Sequence, residues 1–337
     1  MKKFVSFMIF CLLFALLAGC QTKEPDVMDL DSPQAEIPLQ LESLSVEISK
    51  GTLDTQTLMA AVKDLPDLLR TYFSETDVEI GEIKVTVGSS PAHTAQAVES
   101  GGIQLAFLPA EGFLTAAGDA AVLFADAQTT DSGQLSSGTR SLICAAPTEY
   151  GTQLNNRASS GKPLSWEELK TARWGVLPAD SLGGYQCFDL WLSDNYDGNR
   201  ITDLPQVTLY DSYEELFRAA AIGEIDALVV RDDVRTGVSE AWTREETQTD
   251  AGWIHGFGRD TDIWQEIPVL DVTERLYSQL VIAVPELADE RFAAALEQVL
   301  TQMAEKTPEQ MEVLGSAQFI SVNDDELDPT RRLTTLG

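Results

Sequence analysis

Positive charge is scarce in this sequence. The 337 residues include 23 Lys and Arg against 54 Asp and Glu, which gives a formal net charge of −31 at pH 7. A surface of this sign repels the phosphates of nucleic acids and the headgroups of anionic lipids. We therefore exclude nucleic-acid binding as a function.

Histidine is also scarce, since His93 and His255 are the only two in the chain. Nucleophilic catalysis by Ser or Cys generally needs an adjacent base, and no spacing pairs either His with a nucleophile. The spacing of His, Cys and carboxylates typical of metal sites is absent as well, and the pairs Asp232–Asp233 and Asp324–Asp325 fit solvated turns. We predict that the protein is not an enzyme and that it uses no metal or cofactor.

Long apolar runs are missing except near the amino terminus. Lys2 and Lys3 precede the apolar stretch Phe4–Leu16, and Leu17–Ala18–Gly19–Cys20 follows it. The stretch is shorter than the roughly 20 apolar residues that span a bilayer. Small residues before a Cys form a bacterial lipobox, in which the Cys thiol takes a diacylglycerol and the peptide is cut before it. We predict a signal peptide at residues 1–19 and lipidation at Cys20.

Cysteine is rare beyond this segment. Of the four in the chain, Cys11 lies in the predicted signal and Cys20 takes the lipid, which leaves Cys144 and Cys187. An oxidising compartment would allow a bridge between them. The alternative is two buried free thiols, which we favour because each lies in an apolar run.

Residues 20–43 are predicted to be a flexible tether. The segment is acidic, contains Pro25, Pro33 and Pro38, and has neither helical nor strand periodicity. The alternating pattern of Leu44–Ile48 predicts the first strand.

The central motif of the remaining chain is Trp174–Tyr185, with the sequence WGVLPADSLGGY. It predicts a short buried strand, a turn and a helix start at Gly183. Such a junction leaves backbone N–H groups facing a crevice in which α/β proteins bind ligands. The same plan recurs at Val85–Ser90, Leu105–Glu111, Leu209–Tyr213 and Leu228–Asp233.

The alternation of strand and helix patterns predicts an α/β fold with mostly parallel sheets and helices on both faces. The strand patterns at residues 140–146 and 279–284 are interpreted as crossings between two lobes. We predict that lobe 1 comprises residues 44–142 and 281–337, and that lobe 2 comprises residues 143–280.

Several motifs, taken in order, resemble a known family. They are IQLAFLPAEGF, RSLICAAPTEYG, WEELKTARWGVLPADSLGGY, LYDSYEELFRAAAIGEIDALVV and the segment Phe319–Arg331. From about Ile80 to Arg331 the chain is similar to the phosphate/phosphite/phosphonate-binding family of ABC-transporter substrate-binding proteins. The resemblance implies a type II periplasmic-binding-protein fold, in which two α/β lobes are joined by two crossing strands and close on a ligand between them.

The resemblance also implies where the ligand turns lie. They fall at Ser89–Ser90, Pro109–Ala110–Glu111, Asp180–Tyr185 and Asp211–Ser212. With Arg231, which lies at a strand end, the candidate ligand-binding residues are Ser89, Ser90, Glu111, Asp180, Ser181, Gly183, Gly184, Tyr185, Asp211, Ser212 and Arg231. Structural roles are the alternative for each: helix caps for the serines, an Asx-turn for Asp180, tight packing for the glycines, a core position for Tyr185 and solvated charges for Glu111 and Arg231.

The charges of these turns bear on the ligand. Phosphonate-binding members of the family typically have a Ser/Thr-rich turn where this chain has Pro178–Ala179–Asp180–Ser181, and they tend to have a His near the start of the helix where it has Asp211. Two unit charges about 4 Å apart interact by about 4 kcal/mol at an effective dielectric constant near 20. Two carboxylates would therefore repel a phosphonate dianion. A cationic or neutral ligand is thus an alternative to the phosphonate- or phosphite-like ligand that the family implies.

Together these patterns predict a monomeric, lipid-anchored solute-binding protein on the extracytoplasmic face of a bacterial membrane. It would deliver a small polar solute to an ABC permease encoded as a separate chain. The alternative is a surface lipoprotein that senses a ligand without transporting it.

Overall fold

The computed structural model of the protein describes residues 38–49, 55–116, 118–129, 133–232, 234–249 and 252–336. The predicted signal peptide, the lipidation site Cys20 and residues 20–37 of the predicted tether lie outside the described residues. From Pro38 onward the chain forms one unit.

The secondary structure alternates between strands and helices along most of this unit. The strands are β1 (Leu39–Ile48), β2 (Val78–Val87), β3 (Leu105–Pro109), β4 (Ala121–Thr129), β5 (Leu135–Ser137), β6 (Ser141–Ala145), β7 (Trp174–Val176), β8 (Val207–Leu209), β9 (Ala227–Arg231), β10 (Thr247–Thr249), β11 (Gly252–Ile254), β12 (Val269–Val272), β13 (Gln279–Ala283) and β14 (Gln318–Ser321). The α-helices are α1 (Thr55–Ala61), α2 (Leu65–Phe73), α3 (Pro91–Glu99), α4 (Ala110–Ala116), α5 (Glu149–Ser159), α6 (Trp166–Thr171), α7 (Cys187–Asn195), α8 (Tyr213–Ala221), α9 (Val234–Thr243), α10 (Ile263–Glu266), α11 (Glu290–Lys306), α12 (Pro308–Leu314) and α13 (Asp328–Thr335).

The first half of the fold is a seven-stranded sheet with its helices. Its strand order is β14-β4-β13-β3-β1-β2, and β5 pairs with β4. Strands β2, β1 and β3 are parallel, whereas β13, β4, β14 and β5 pair antiparallel with their neighbours. The sheet is therefore mixed, and its parallel part is confined to three strands.

The second half is a five-stranded sheet with the order β12-β6-β9-β7-β8. Here β9, β7 and β8 are parallel, and β6 and β12 are antiparallel additions. Thus the predicted α/β class is confirmed, but each sheet is mixed where mostly parallel sheets were expected.

Two short segments connect the halves, residues 138–140 and residues 273–278. They run antiparallel beside each other, because Thr139 N donates to Leu276 O at 2.7 Å and Leu276 N donates to Thr139 O at 2.7 Å. Strands β6 and β13 follow these segments directly. Each enters its sheet at the edge where a parallel strand ends, so each has to run antiparallel to that neighbour.

The positions of the crossings correct the sequence-based boundaries by a few residues. The boundary expected after Leu142 falls inside β6, which pairs with β9 of the second half. The boundary expected after Leu280 falls inside β13, which pairs with β3 and β4 of the first half. At the amino-terminal end, β1 begins at Leu39, so residues 39–43 belong to the sheet and not to the tether.

Apolar packing is organised by sheet. One cluster covers the seven-stranded sheet, two more cover the two faces of the five-stranded sheet, and a small fourth cluster lies beside the crossings. Cys144 and Cys187 are both buried free thiols, as we favoured, and burial raises the pKa of each to about 12.

Candidate functional site

A cavity of about 550 Å³ lies between the two halves. From the first half it is lined by Pro109 at the end of β3 and Glu111 in the first turn of α4. From the second half it is lined by Asp180 and Tyr185, which follow β7. Since β3 and β7 belong to the parallel part of their sheets, the cavity lies where the carboxyl ends of parallel strands meet, the usual position of ligand sites in α/β folds.

The chain after β7 forms one π-helical turn, Leu182–Gln186, before α7 begins. Ser181 caps this turn, because its side-chain oxygen accepts from Gly184 N at 3.1 Å. A single π-turn within a helix is rare and is often found at functional sites.

Both glycines of the turn are required by packing. A Cβ at Gly183 would lie 2.8 Å from Arg231 Cβ and 2.8 Å from Thr139 Cγ2, and a Cβ at Gly184 would lie 2.6 Å from Leu177 Cβ. The carbonyl of Gly183 accepts from Ser141 Oγ at 2.8 Å. These contacts hold the turn close to the first crossing segment.

Tyr213, at the start of α8, links Ser181 to Arg231. Its hydroxyl accepts from Arg231 N at 3.1 Å, and it also hydrogen bonds to the Ser181 side chain. Burial raises the pKa of Tyr213, although both hydrogen bonds oppose the rise. The Arg231 guanidinium reaches the first half, where its Nη1 donates to Gln128 Oε1 at 3.2 Å.

Ser89 and Ser90 lie at the start of α3. Ser90 is its N-cap and accepts from His93 N at 3.3 Å, while Ser89 Oγ lies 3.0 Å from His93 Nδ1. Helix α3 starts against α4, since a Cβ at Gly112 would lie 2.1 Å from Pro91 Cβ. The two serines are therefore close to the Glu111 side of the cavity without lining it.

Asp211 and Ser212 lie at the start of α8, at the carboxyl end of β8. Ser212 Oγ accepts from Glu215 N at 3.2 Å, and Asp211 N donates to Glu215 Oε2 at 3.2 Å. Both residues are exposed. Their hydrogen bonds are those of a helix cap.

The structure thus brings Glu111, Asp180 and Tyr185 together in one cavity. The other candidates do not line it. Of these, Ser181, Gly183 and Arg231 form the packed group beside the first crossing, and Gly184 packs on Leu177.

Sequence reasoning missed the charged pair at the second-half wall of the cavity. Arg200 Nε donates to Asp189 Oδ2 at 2.8 Å, and Asp189 Oδ1 accepts from Ile201 N at 2.9 Å. The hydrogen bond with Asp189 raises the pKa of Arg200. Asp189 is only 4% exposed and interrupts the apolar run Cys187–Leu192. An acidic residue within an apolar run is the sequence pattern that could have indicated this pair, because a buried carboxylate needs a partner.

The cavity is therefore rich in negative charge. Among the described residues, its lining contains the carboxylates of Glu111, Asp180 and Asp189 and one cation, Arg200, which is already paired with Asp189. Burial raises the pKa of Tyr185, and the charge of Asp189 adds to the rise, so this hydroxyl stays protonated at neutral pH. In the described ranges of the chain, no group of three or more His, Cys, Asp or Glu side chains is arranged to hold a metal ion.

Two α/β halves with two crossing segments and a cavity at the meeting strand ends define a type II periplasmic-binding-protein architecture. The family model described as "ABC transporter, phosphonate, periplasmic substrate-binding protein" matches residues 55–327, and the chain belongs to this family. It is thus a substrate-binding protein of an ABC importer. Family members bind a small solute and work with a permease, and the family's periplasmic character places them outside the cytoplasm.

Solved structures resemble the chain at low sequence identity. The Xanthomonas citri protein XAC2383 bound to ATP is 11% identical, with 88% of this chain and 97% of that chain covered and a TM-score of 0.42. PhnD1 from Prochlorococcus marinus in complex with methylphosphonate is 13% identical, with 87% and 97% covered and a TM-score of 0.36. Transferrin 1 from Manduca sexta is 8% identical, with 88% of this chain and 46% of that chain covered and a TM-score of 0.52, a likeness of fold alone.

No match was found among curated proteins. Among the helices that the structure describes, none has both the length and the apolar character needed to cross a membrane.

Proposed function

We propose that the protein is a lipid-anchored monomeric receptor, tethered through Cys20, which captures a small polar solute in the cavity between its halves. The observation that carries the proposal is the cavity itself, which is lined by Glu111 from one half and Asp180 from the other. A solute that contacts both halves at once stabilises the conformation in which they are close. The closed form would then be the one presented to the permease.

The charge of the lining favours a solute that carries an amine or several hydroxyl groups. Three carboxylates and one paired arginine surround the cavity, so a bare dianion would gain little there. An ammonium group, by contrast, would donate hydrogen bonds to Glu111 and Asp180. A solute that carries both an amine and an oxyanion also fits, because its oxyanion can accept hydrogen bonds from the N–H groups at a helix start.

Replacing Asp180 tests the site and the sign of the ligand charge together. In Asp180→Asn, calorimetry should show weaker binding of an amine-bearing phosphonate by about 1.5–3 kcal/mol, the range for hydrogen bonds to charged groups. Binding of methylphosphonate or inorganic phosphate should be unchanged or tighter, because one repulsive charge is gone.

Asp211→Asn is the matched control. Asp211 is an exposed carboxylate at the same edge of the second sheet, but it does not line the cavity. The affinity of Asp211→Asn for the amine-bearing phosphonate, and for methylphosphonate, should be the same as that of the wild type. If Asp211→Asn changes affinity and Asp180→Asn does not, the solute binds elsewhere along that edge and the proposed cavity is wrong.

A further inference from the structure

Helix α13 makes non-covalent contacts with both halves of the fold. It follows β14 and the buried Leu327 of the first half, and it packs against α4 of that half and α7 of the other. Thr330 Oγ1 accepts from Tyr277 N of the second crossing at 3.0 Å, and Leu336 O accepts from Arg200 Nη1 at 2.6 Å. The helix is therefore bonded to the second crossing near its start, and the residue after its end is bonded to the second half.

The same helix forms one wall of the cavity. Its residues Thr330, Leu333 and Thr334, with Leu336 just beyond its end, line the same space as Glu111 and Asp180. Leu333 and Leu336 pack in the small apolar cluster around Leu276 and Cys187, to which Leu182 of the π-turn also belongs. The lining of the cavity thus includes both acidic and apolar side chains.

We propose that the solute site extends onto α13, and that the solute has an apolar part which packs on Leu333, Leu336 and Leu182 while its polar end faces Glu111 and Asp180. This inference rests on the proposed function, because it takes the cavity to be the solute site. A volume of about 550 Å³ lies within the roughly 300–1,000 Å³ typical of pockets for drug-sized ligands. A small oxyanion with one short substituent would leave most of it unfilled.

The length of an alkyl chain is the direct probe of the apolar lining. Binding of methyl-, butyl- and hexylphosphonate, and of the corresponding alkylamines, is measured by calorimetry with the wild-type protein. In the series that binds, Kd should fall roughly fourfold for each methylene that becomes buried, so butyl should bind more than tenfold tighter than methyl. Equal affinity at all three chain lengths would overturn the inference.

Two neighbouring threonines provide matched variants. Thr334 and Thr335 each donate to a backbone carbonyl one turn earlier at 2.7 Å, but only Thr334 lines the cavity. Thr334→Phe should abolish the gain in affinity with chain length, whereas Thr335→Phe should keep the gain. Thr334→Val, a smaller change, should keep both the fold and the gain.

The outcomes separate this inference from the function on which it depends. If the short probes bind and Thr334→Phe retains the full gain with chain length, the extension onto α13 is wrong and the cavity proposal survives. If no probe of either series binds at any length, the cavity proposal fails, and the extension fails with it. Melting temperatures of the variants close to that of the wild type establish that each is folded.

Discussion

Asp226 is buried at the amino ends of β7 and β9, at the end of these strands away from the cavity between the halves. It accepts from Arg173 N at 3.1 Å, Nε at 2.9 Å and Nη2 at 2.7 Å, and from Thr148 Oγ1 at 2.7 Å. Burial alone would raise the pKa of Asp226, but these hydrogen bonds outweigh it and hold the pKa below its ordinary value. Folding thus favours the ionised form of Asp226 over its protonated form.

This shift predicts a pH-dependent effect of Asp226→Asn. Because the folded-state pKa is depressed, the carboxylate stabilises the fold above its unfolded pKa of about 3.9, and the contribution is lost as the pH falls through the folded value. At pH 7 the variant should lose about 1.5–3 kcal/mol in the free energy of unfolding. Below about pH 4 its deficit should shrink toward zero, as measured by urea denaturation across the pH range.

Asp67→Asn is the control for this prediction. Asp67 pairs with Arg70 at 2.6 Å on an exposed helix face, where both side chains are largely solvated. Such pairs contribute little, so stability should hardly change at any pH. A deficit in Asp226→Asn that stays constant from pH 7 to pH 3 would contradict the assigned role of the ionised carboxylate.

Gly183 and Gly184 show what a single residue type can and cannot reveal. Their positions after a buried strand predicted a tight junction, and the structure has one. The sequence could not show whether the space beside each glycine is occupied by a solute or by another side chain. Here the atoms within 3 Å of the missing Cβ groups belong to Arg231 and Thr139, which are distant in the chain, and to Leu177, which directly follows β7.

Helix starts were the elements that the sequence predicted best. Ser90, Ser181 and Ser212, for which helix caps were the structural alternative, each accept a hydrogen bond from a backbone N–H at the start of a helical segment. These signals are local, because a cap bonds a backbone N–H only a few residues away. Proline has the same local effect in the first half: α1 ends at Ala61, a 3-10 turn follows, and Pro66 lies in the first turn of α2, where its missing N–H is tolerated.

Ser212→Ala is expected to affect the helix and not the solute. Its oxygen already accepts from Glu215 N, so its loss should lower the free energy of unfolding by about 1 kcal/mol. Calorimetry should show unchanged solute affinity. Ser165→Ala, which removes the equivalent cap from α6 away from the cavity, should give a similar loss of stability. Weaker binding in Ser212→Ala alone would restore Ser212 to the solute site.

The crossings and α13 belong to the whole molecule, and the sequence located them least well. The strand patterns of β6 and β13 were read correctly as strands, but the chain passes between the halves just before each of them. No local pattern marks that point, because it is set by pairing between Thr139 and Leu276, far apart in the chain. The role of α13 as a cavity wall depends likewise on contacts with Tyr277 and Arg200.

Arg331 and Arg332 offer a test of how α13 holds the halves together. Arg332 Nη2 donates to Asp194 of α7 at 3.2 Å and also bonds Glu274 of the second crossing, whereas Arg331 bonds Asp324 and Asp328 within its own segment. Partly exposed pairs contribute about 0.2–1 kcal/mol, so Arg332→Ala should speed hydrogen exchange in residues 273–278 and at the end of α7 by up to about fivefold. Arg331→Ala should speed exchange only within residues 324–335. Equal effects of the two variants on residues 273–278 would show that the link between the halves does not pass through Arg332.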